Sequence, residues 1–510
     1  MATDLVYAVL VAALALAVFI STPVLLLAAK IYSGKSIGDP SRPPVKGTVF
    51  HMLFYFNNMY DRQTEIARAC PTYRLLAPDE SAIYTTDARN IEHVLKTRFD
   101  KYTKGKPHVE RLTDLFGEGV FLADGEKWRH QRKLASFEFS TRVLRDFSCK
   151  VFRKCSAKLV RAVATSAESH QPFDLQNLLM RCTLDSIFKV GFGVDLNCLG
   201  ERDAESTAFS VAFDELNTRY VDPIWKIKRA LNVGSESLIK KHMKVIDDFA
   251  YGVIKAKRQQ MKSMRESGEK EDILSRFLVE SEKDPENMTD RYLKDIVLNF
   301  LIAGKDSSAV TMSWFFYMLC KNPLVHEKIL QEIRDATGFN DSEKPEAEDF
   351  IARINDSVLD KMHYLHATLS ETLRLYPAVP VDGRCAEEDD TLPDGYKLTK
   401  GDGVYYIAYA MGRMTRVWGE DAEDFRPERW IENGTFQHQS PFKFIAFHGG
   451  PRICLGKDFA YRQMKIVATA LLWFFRFRLA DQTQTVKYKT MVTLHIDGGL
   501  HVHAIPRTVP

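Results

Sequence analysis

The 510-residue chain contains eight cysteines, at positions 70, 149, 155, 182, 198, 320, 385 and 454. Cys454 stands apart from the others by its surroundings. It lies in Phe447-His448-Gly449-Gly450-Pro451-Arg452-Ile453-Cys454-Leu455-Gly456, directly ahead of a segment with helical apolar spacing at Phe459, Ala460, Met464, Val467 and Leu471. A thiol at a helix N-terminus meets unpaired N–H groups and the positive end of the helix dipole, which favour the thiolate that a metal requires. Gly450 and Gly456 carry no side chain to hold a flat cofactor off the backbone. Arg452 supplies a fixed cation for a carboxylate at that cofactor's edge.

A second unusual stretch is Leu301-Ile302-Ala303-Gly304-Lys305-Asp306-Ser307-Ser308, within the most apolar helical segment of the body. Gly304 weakens the helix at one point, and the Ser307 hydroxyl can intercept a carbonyl freed there. Taken alone, the stretch also fits a buried helix whose polar groups are satisfied. Glu371 and Arg374 are three residues apart and so share a helix face. That spacing recurs at Glu65/Arg68, Glu126/Arg129 and Glu423/Arg426, so it carries no function by itself. Trp128-Arg129-His130-Gln131-Arg132, with Lys127 and Lys133 beside it, fits an exposed basic helix face when taken by itself.

Phe447, Gly450, Arg452, Cys454 and Gly456 match the FxxGxRxCxG signature of the cytochromes P450, and the chain resembles that family from about Val45 to Ile505. The resemblance implies a mainly α fold with small β-sheets, and haem b with Cys454 as its axial thiolate. Leu301–Ser308 resembles the family's oxygen-activating pattern, so Asp306 and Ser307 become proton carriers, with serine where threonine is usual. Glu371-Thr372-Leu373-Arg374, followed by Phe425-Arg426-Pro427-Glu428-Arg429-Trp430, resembles the ExxR helix and its PERF-type partner. Glu371, Arg374 and Arg429 are then a buried charge network. Trp128 and Arg132 are expected on the haem propionates, with Arg384 a further contact, and Phe447, Gly450, Arg452 and Gly456 around the cofactor.

The implied reaction inserts one atom of O2 into a C–H bond of a lipophilic substrate, with electrons from NADPH through a membrane-bound NADPH–cytochrome P450 reductase. Leu115–Phe121 and Asp124–Lys133 are similar to the plant clan of long-chain fatty-acid hydroxylases, which implies attack at the ω carbon. A terpenoid or phenolic substrate, reductase-independent hydroperoxide isomerisation or dehydration, and a non-catalytic haem sensor are the alternatives. The expected pocket lining is Leu115, Phe116, Val120, Phe121, Phe300, Ala303, Ala378, Val379, Met491 and Val492.

These groups need a large helical body to position them, and a chain that is 45% hydrophobic has the material for one. A net charge of +3 gives no basic excess of the kind nucleic-acid binding shows. Helical periodicity marks Ala123–Phe137, Phe173–Val190, Ser237–Arg265, Arg291–Leu319, Asp360–Leu375 and Asp458–Phe475. Strand patterns mark Thr72–Leu76, Ala82–Thr85, Gly403–Ala408 and Met491–Ile496.

Leu5–Ala29 is uncharged over 25 residues, roughly 37 Å of helix, enough to cross a ~30 Å hydrocarbon core. Residues 1–30 are therefore expected to be one transmembrane anchor, 31–47 a Pro-rich hinge and 48–510 the catalytic domain. Lys30, Lys35, Arg42 and Lys46 follow the span, so the domain is expected on the cytosolic face of the endoplasmic reticulum membrane. The sequons at Asn287, Asn340, Asn355 and Asn433 should then stay unglycosylated.

Overall fold

A computed structural model describes the chain except residues 1, 79–80, 141, 200–210, 213–214, 217–218, 220–221, 223, 265–271, 341–344, 484 and 508–510. Helix α1 (Ala2–Tyr32) runs through the uncharged segment and ends on Lys30 in its last turn. Within it, Leu10–Tyr32 is long and apolar enough to cross a membrane, and its most apolar 18-residue window is not buried inside the chain.

The segment after α1 is tied to the body by hydrogen bonds and an ion pair. Arg74, fully buried on strand β2 (Thr72–Leu76), donates from Nε to the Pro43 carbonyl at 2.8 Å. Its two terminal nitrogens reach the carbonyls of Lys35 and Ser36 at 2.9 and 3.1 Å. Arg42 forms a buried ion pair with Asp402, and strand β1 (Val45–Thr48) pairs in parallel with β2. Prolines remove backbone donors here, and the guanidinium of Arg74 satisfies the carbonyls that remain.

The main sheet is completed by β3 (Ser81–Thr85), β4 (Tyr102–Thr103), β5 (Asp382–Ala386) and β6 (Gly403–Tyr406), in the order β1-β2-β3-β6-β5-β4. Its register sets Ile83 beside Val404 and Val404 beside Arg384, which delivers Arg384 to the functional site. Strands β7 (Phe475–Leu479) and β8 (His501–Pro506) form a smaller sheet with Phe173–Asp174. The Met491–Ile496 segment is not a strand. Its one ladder contact is the Tyr488–Ile496 bridge, and the Leu494 N–H is taken by the Ala378 carbonyl at 3.0 Å, so no neighbouring strand receives it.

The helical body comprises α2 (Lys106–Phe116), α3 (Gly125–Ser140), α4 (Arg142–Glu168), α5 (Leu175–Phe192), α6 (Ser235–Met264), α7 (Asp290–Lys321), α8 (His363–Leu375) and α9 (Lys457–Phe474). All six helical segments expected from periodicity agree within three residues at each end. Helix α7 begins on a Thr289 cap and is buried along most of its length. Each fully buried Leu or Phe on it contributes about 1.5–3 kcal/mol. Gly304 does not interrupt this helix. A Cβ at that position would collide with Ile187, so the absent side chain lets α5 lie directly on α7.

Candidate active site

The cysteine loop is a short 3-10 turn, Gly450–Arg452, leading into α9. The Cys454 N–H donates to the Phe447 carbonyl at 2.8 Å, which closes the loop behind the thiol. Gly450 has φ +65°, and a Cβ on it would overlap the Leu95 carbonyl. That backbone approach requires glycine there. At Gly456 a Cβ would meet Phe139 and the Cys454 sulfur at ordinary contact distances of 3.8 and 4.0 Å, so none of the described residues requires glycine there. Phe447 packs on Tyr461 with ring centroids 5.2 Å apart.

Burial pushes the Cys454 thiol above its ordinary value, while the Gly456 N–H, Arg132 and Lys457 pull it down. The helix N-terminus alone therefore does not deliver the thiolate expected from sequence. A cation bound to the sulfur does, because metal coordination deprotonates a thiol outright.

Behind the loop, Glu371 is fully buried on α8 and is met from every side. Arg374 donates from Nε to Oε2 at 2.7 Å and from Nη2 to Oε1 at 2.8 Å. Arg429 Nε and the Arg426 backbone N–H each reach Oε1 at 2.8 Å, and the Trp430 indole reaches Oε2 at 2.9 Å. Arg374 also bonds the carbonyls of Gly412, Ala422 and Asp424. Burial lowers the pKa of Arg374. At Arg429 burial acts in the same direction, but Glu371 and Asp421 outweigh it and hold the charge. Glu371, Arg374 and Arg429 thus form one network with a fourth member, Trp430, whose buried indole needs an acceptor that periodicity cannot reveal.

On another side of the loop, Trp128 and Arg132 project from α3. The Arg452 guanidinium lies 4.4 Å from the Trp128 ring centroid, and Arg132 donates to the Ile453 carbonyl. Arg452 also donates to Asp124 at 2.5 Å and to the Ala123 carbonyl at 2.8 Å. Asp382, two residues before Arg384 on β5, collects Arg384 at 3.0 Å, Lys104 at 3.3 Å, the Tyr406 hydroxyl at 2.8 Å and His448 at 3.6 Å. Sequence reading passed over Lys104, Asp382, Tyr406 and His448, which come from four separate segments and share no spacing. Burial, reinforced by Arg384, lowers Lys104 to about 7 and Arg452 to about 10. Burial lowers His448 to about 4, and Lys104 and Arg384 add to that effect.

A cavity of about 490 Å3 opens beside this cluster. Of the expected lining residues, Phe116, Phe121, Ala303, Val379, Met491 and Val492 line it. Leu115, Val120, Phe300 and Ala378 do not. Leu115 is fully buried in the core, Phe300 packs on Phe139 and Phe277, and the backbones of Val120 and Ala378 accept hydrogen bonds from Arg452 and Leu494. Ser307 lines the cavity and donates its hydroxyl to the Ala303 carbonyl at 2.7 Å. Asp306, expected beside it as a second proton carrier, is not on the cavity wall. It is buried and pairs with Lys305 at 3.4 Å. Adjacent helical residues point about 100° apart, and here Ser307 faces the cavity while Asp306 turns into the packed side of the helix.

Residues 39–502 match the family model described as cytochrome P450. The chain belongs to the cytochrome P450 family. It is 48% identical to cytochrome P450 704C1 of Pinus taeda over 91% of this chain and 92% of the relative. It is 42% identical to cytochrome P450 704B1 of Arabidopsis thaliana, covering 91% and 94%, and 41% identical to cytochrome P450 86B1 of the same plant, covering 86% and 80%. This P450 is accordingly a haem-thiolate monooxygenase that uses O2 and NADPH-derived electrons.

The residues present fit a haem. The buried cations Lys104, Arg384 and Arg452 outnumber the carboxylates Asp382 and Asp124 among them, and the Arg384 Nε is buried with no partner among the described residues. Unmatched buried positive charge with an open N–H suits an acidic edge such as a porphyrin's propionates.

Proposed function

We propose that this P450 hydroxylates long-chain fatty acids at the ω carbon. The observation that carries the reading is a single cavity lined at once by Leu27 and Lys30 of α1 and by Ala303 and Ser307 of α7. An apolar passage that touches both the anchor and the oxygen-activating helix suits a long acyl chain drawn from a membrane. The resemblance of Leu115–Phe121 and Asp124–Lys133 to the plant fatty-acid hydroxylase clan supports the same substrate class.

In this reading Cys454 is the metal ligand of haem b, flanked by Phe447, Gly450 and Gly456. Trp128, Arg132, Arg384 and Arg452 meet its propionates. When bound, the haem supplies dioxygen activation and the insertion of one oxygen atom into a C–H bond. Glu371, Arg374 and Arg429 hold the cysteine loop in place. Ser307 Oγ hands protons inward from the cavity wall, and Asp306 acts through the position of its neighbour. Phe116, Phe121, Val379, Met491 and Val492 exclude water and orient the chain. Residues 1–30 anchor the enzyme in the endoplasmic reticulum membrane, with the domain 48–510 facing the cytosol and NADPH–cytochrome P450 reductase as its partner.

Membranes carrying the enzyme and a reductase, supplied with NADPH and fatty acids of several lengths, test the substrate. ω-Hydroxy acids are the expected products. Oxidation of a terpenoid or phenolic with no fatty acid attacked would refute the substrate class.

A further inference from the structure

The loop joining α2 to α3 lies directly on α7. Gly117 has φ +54°, and a Cβ on it would overlap the Asp295 carboxylate, while one on Gly119 would overlap the Asn299 amide. Bare backbone is needed at both points. Asp295 Oδ2 accepts the Glu118 N–H at 2.9 Å, and Asn299 Oδ1 accepts the Phe121 N–H at 3.2 Å. The Asn299 amide then donates to the carbonyls of Phe116 and Asp295, both at 2.7 Å. Asn299 is 1% exposed and Asp295 2%, and Lys294 ties Asp295 to Asp247 on α6 at 3.4 and 3.0 Å.

The loop is also gripped from its other side. Gln131 on α3 donates to the Glu118 carbonyl at 2.9 Å, and Arg452 donates to the carbonyls of Val120 and Ala123 at 3.4 and 2.8 Å. Between these two sets of bonds stand Phe116 and Phe121, edge to face with centroids 5.4 Å apart, both lining the cavity with Ala303 and Ser307. Asn299, Ala303 and Ser307 follow one another at four-residue intervals on α7. Consecutive turns of one rigid helix therefore hold the aromatic wall and present the reaction-centre hydroxyl.

We propose that Asn299, braced by Asp295, is the positioning residue that decides which carbon of the substrate is oxidised, by fixing Phe116 and Phe121 relative to Ala303 and Ser307. An amide is suited to the task because it offers an acceptor to one strand of the loop and two donors to carbonyls. An aspartate would set a carboxylate against those carbonyls, and a leucine would leave the Phe121 N–H without its acceptor while the Phe116 carbonyl kept only the Gly119 N–H. The choice of fatty acids as probe rests on the proposed function, whereas the clamp itself does not.

The test compares haem-loaded, full-length Asn299→Ala and Phe121→Ala with the parent enzyme. In Asn299→Ala the carbon-monoxide difference band should persist, and amide exchange across residues 116–121 should quicken. The ratio of terminal to in-chain hydroxylated products should move roughly tenfold, as expected when a substrate is displaced by a fraction of a chain unit. Phe121→Ala should move that ratio the same way with exchange at Glu118 unchanged, which keeps the proposal testable if Asn299→Ala does not fold. An unchanged ratio in Asn299→Ala despite quickened exchange, or in Phe121→Ala, overturns it. If the parent oxidises no fatty acid, the substrate reading falls by itself. The clamp is then judged by titrating n-alkylimidazoles of increasing chain length into the haem-loaded proteins. A shift in the best-bound length in Asn299→Ala supports it, and an unchanged order of affinities overturns it.

Discussion

The indole N–H of Trp430 donates to Glu371 Oε2 at 2.9 Å, while Arg374 and Arg429 share the same carboxylate. One buried anion therefore organises α8 and the segment Arg426–Trp430. Removing it leaves two guanidiniums buried without their anion. Glu371→Ala is expected to lower stability by about 3–5 kcal/mol, and Trp430→Phe by about 1 kcal/mol, in denaturant unfolding followed by far-ultraviolet circular dichroism. Equal midpoints for Glu371→Ala and the parent would refute the network's role.

The reduced, carbon-monoxide-bound enzyme is expected to absorb at the position typical of thiolate ligation. Cys454→Ala should lose both this band and activity while keeping its fold. Persistence of thiolate ligation in that variant would exclude Cys454 as the ligand.

Ser307 closes its hydroxyl onto the Ala303 carbonyl, and serine lacks the methyl that restricts threonine's rotamers. Ser307→Ala should release more hydrogen peroxide per NADPH consumed, and Ser307→Thr less, with the change on the order of several-fold. The ratio of product to NADPH measures this directly. Identical coupling in all three proteins would remove Ser307 from proton delivery.

His326 is buried beneath Arg507, whose Nη2 lies 2.8 Å from His326 Nε2. An arginine can only donate, so Nε2 accepts and the ring is neutral. Burial, then Arg507 and Arg476, lowers its pKa from 6.5 to about 4. A depressed folded pKa means the unfolded chain takes up the proton first as pH falls. The associated stability, about 3 kcal/mol, is complete above about 6.5 and is lost on going down through about 4. His326→Gln should flatten the fall in unfolding midpoint across that window. A parent profile already flat between those values would contradict the assignment.

Asn287, Asn340, Asn355 and Asn433 all lie in the body that the proposed topology keeps out of the lumen. Expression in a glycosylating host should leave the mass of the protein unchanged by endoglycosidase. A shift on treatment would reverse the orientation.

The separate parts of the site were legible because their causes are local. An uncharged run at the N-terminus, a cysteine ahead of an apolar-striped segment and a Glu-x-x-Arg pair on a helix each follow from residues close together in sequence. The helices α5, α6, α7 and α9 were legible for the same reason. Met491–Ile496 misled because β-branched and apolar residues suggest a strand only when another strand is available to pair with, and here Ala378 takes the decisive N–H. Gly304 misled in a related way, since it suggests a weakened turn and instead makes room for Ile187. A missing side chain is visible in the sequence, and only the fold shows that Ile187 fills the space at Gly304 and that the Leu95 carbonyl approaches Gly450.

What the sequence determined by itself was the family, the helical architecture, the apolar N-terminal helix and the candidate ligand Cys454, since each rests on residue types at short, fixed spacing. Tertiary structure alone decided which side chains share a space. It separated Ser307 on the cavity wall from Asp306 in the helix packing, moved Leu115 and Phe300 into the core, and gathered Lys104, Asp382, Tyr406 and His448 from four distant segments around one site. The physical reason is that hydrogen bonds, ion pairs and steric exclusion act over a few ångströms of space. Residues hundreds of positions apart meet only when packing of the whole chain brings them together.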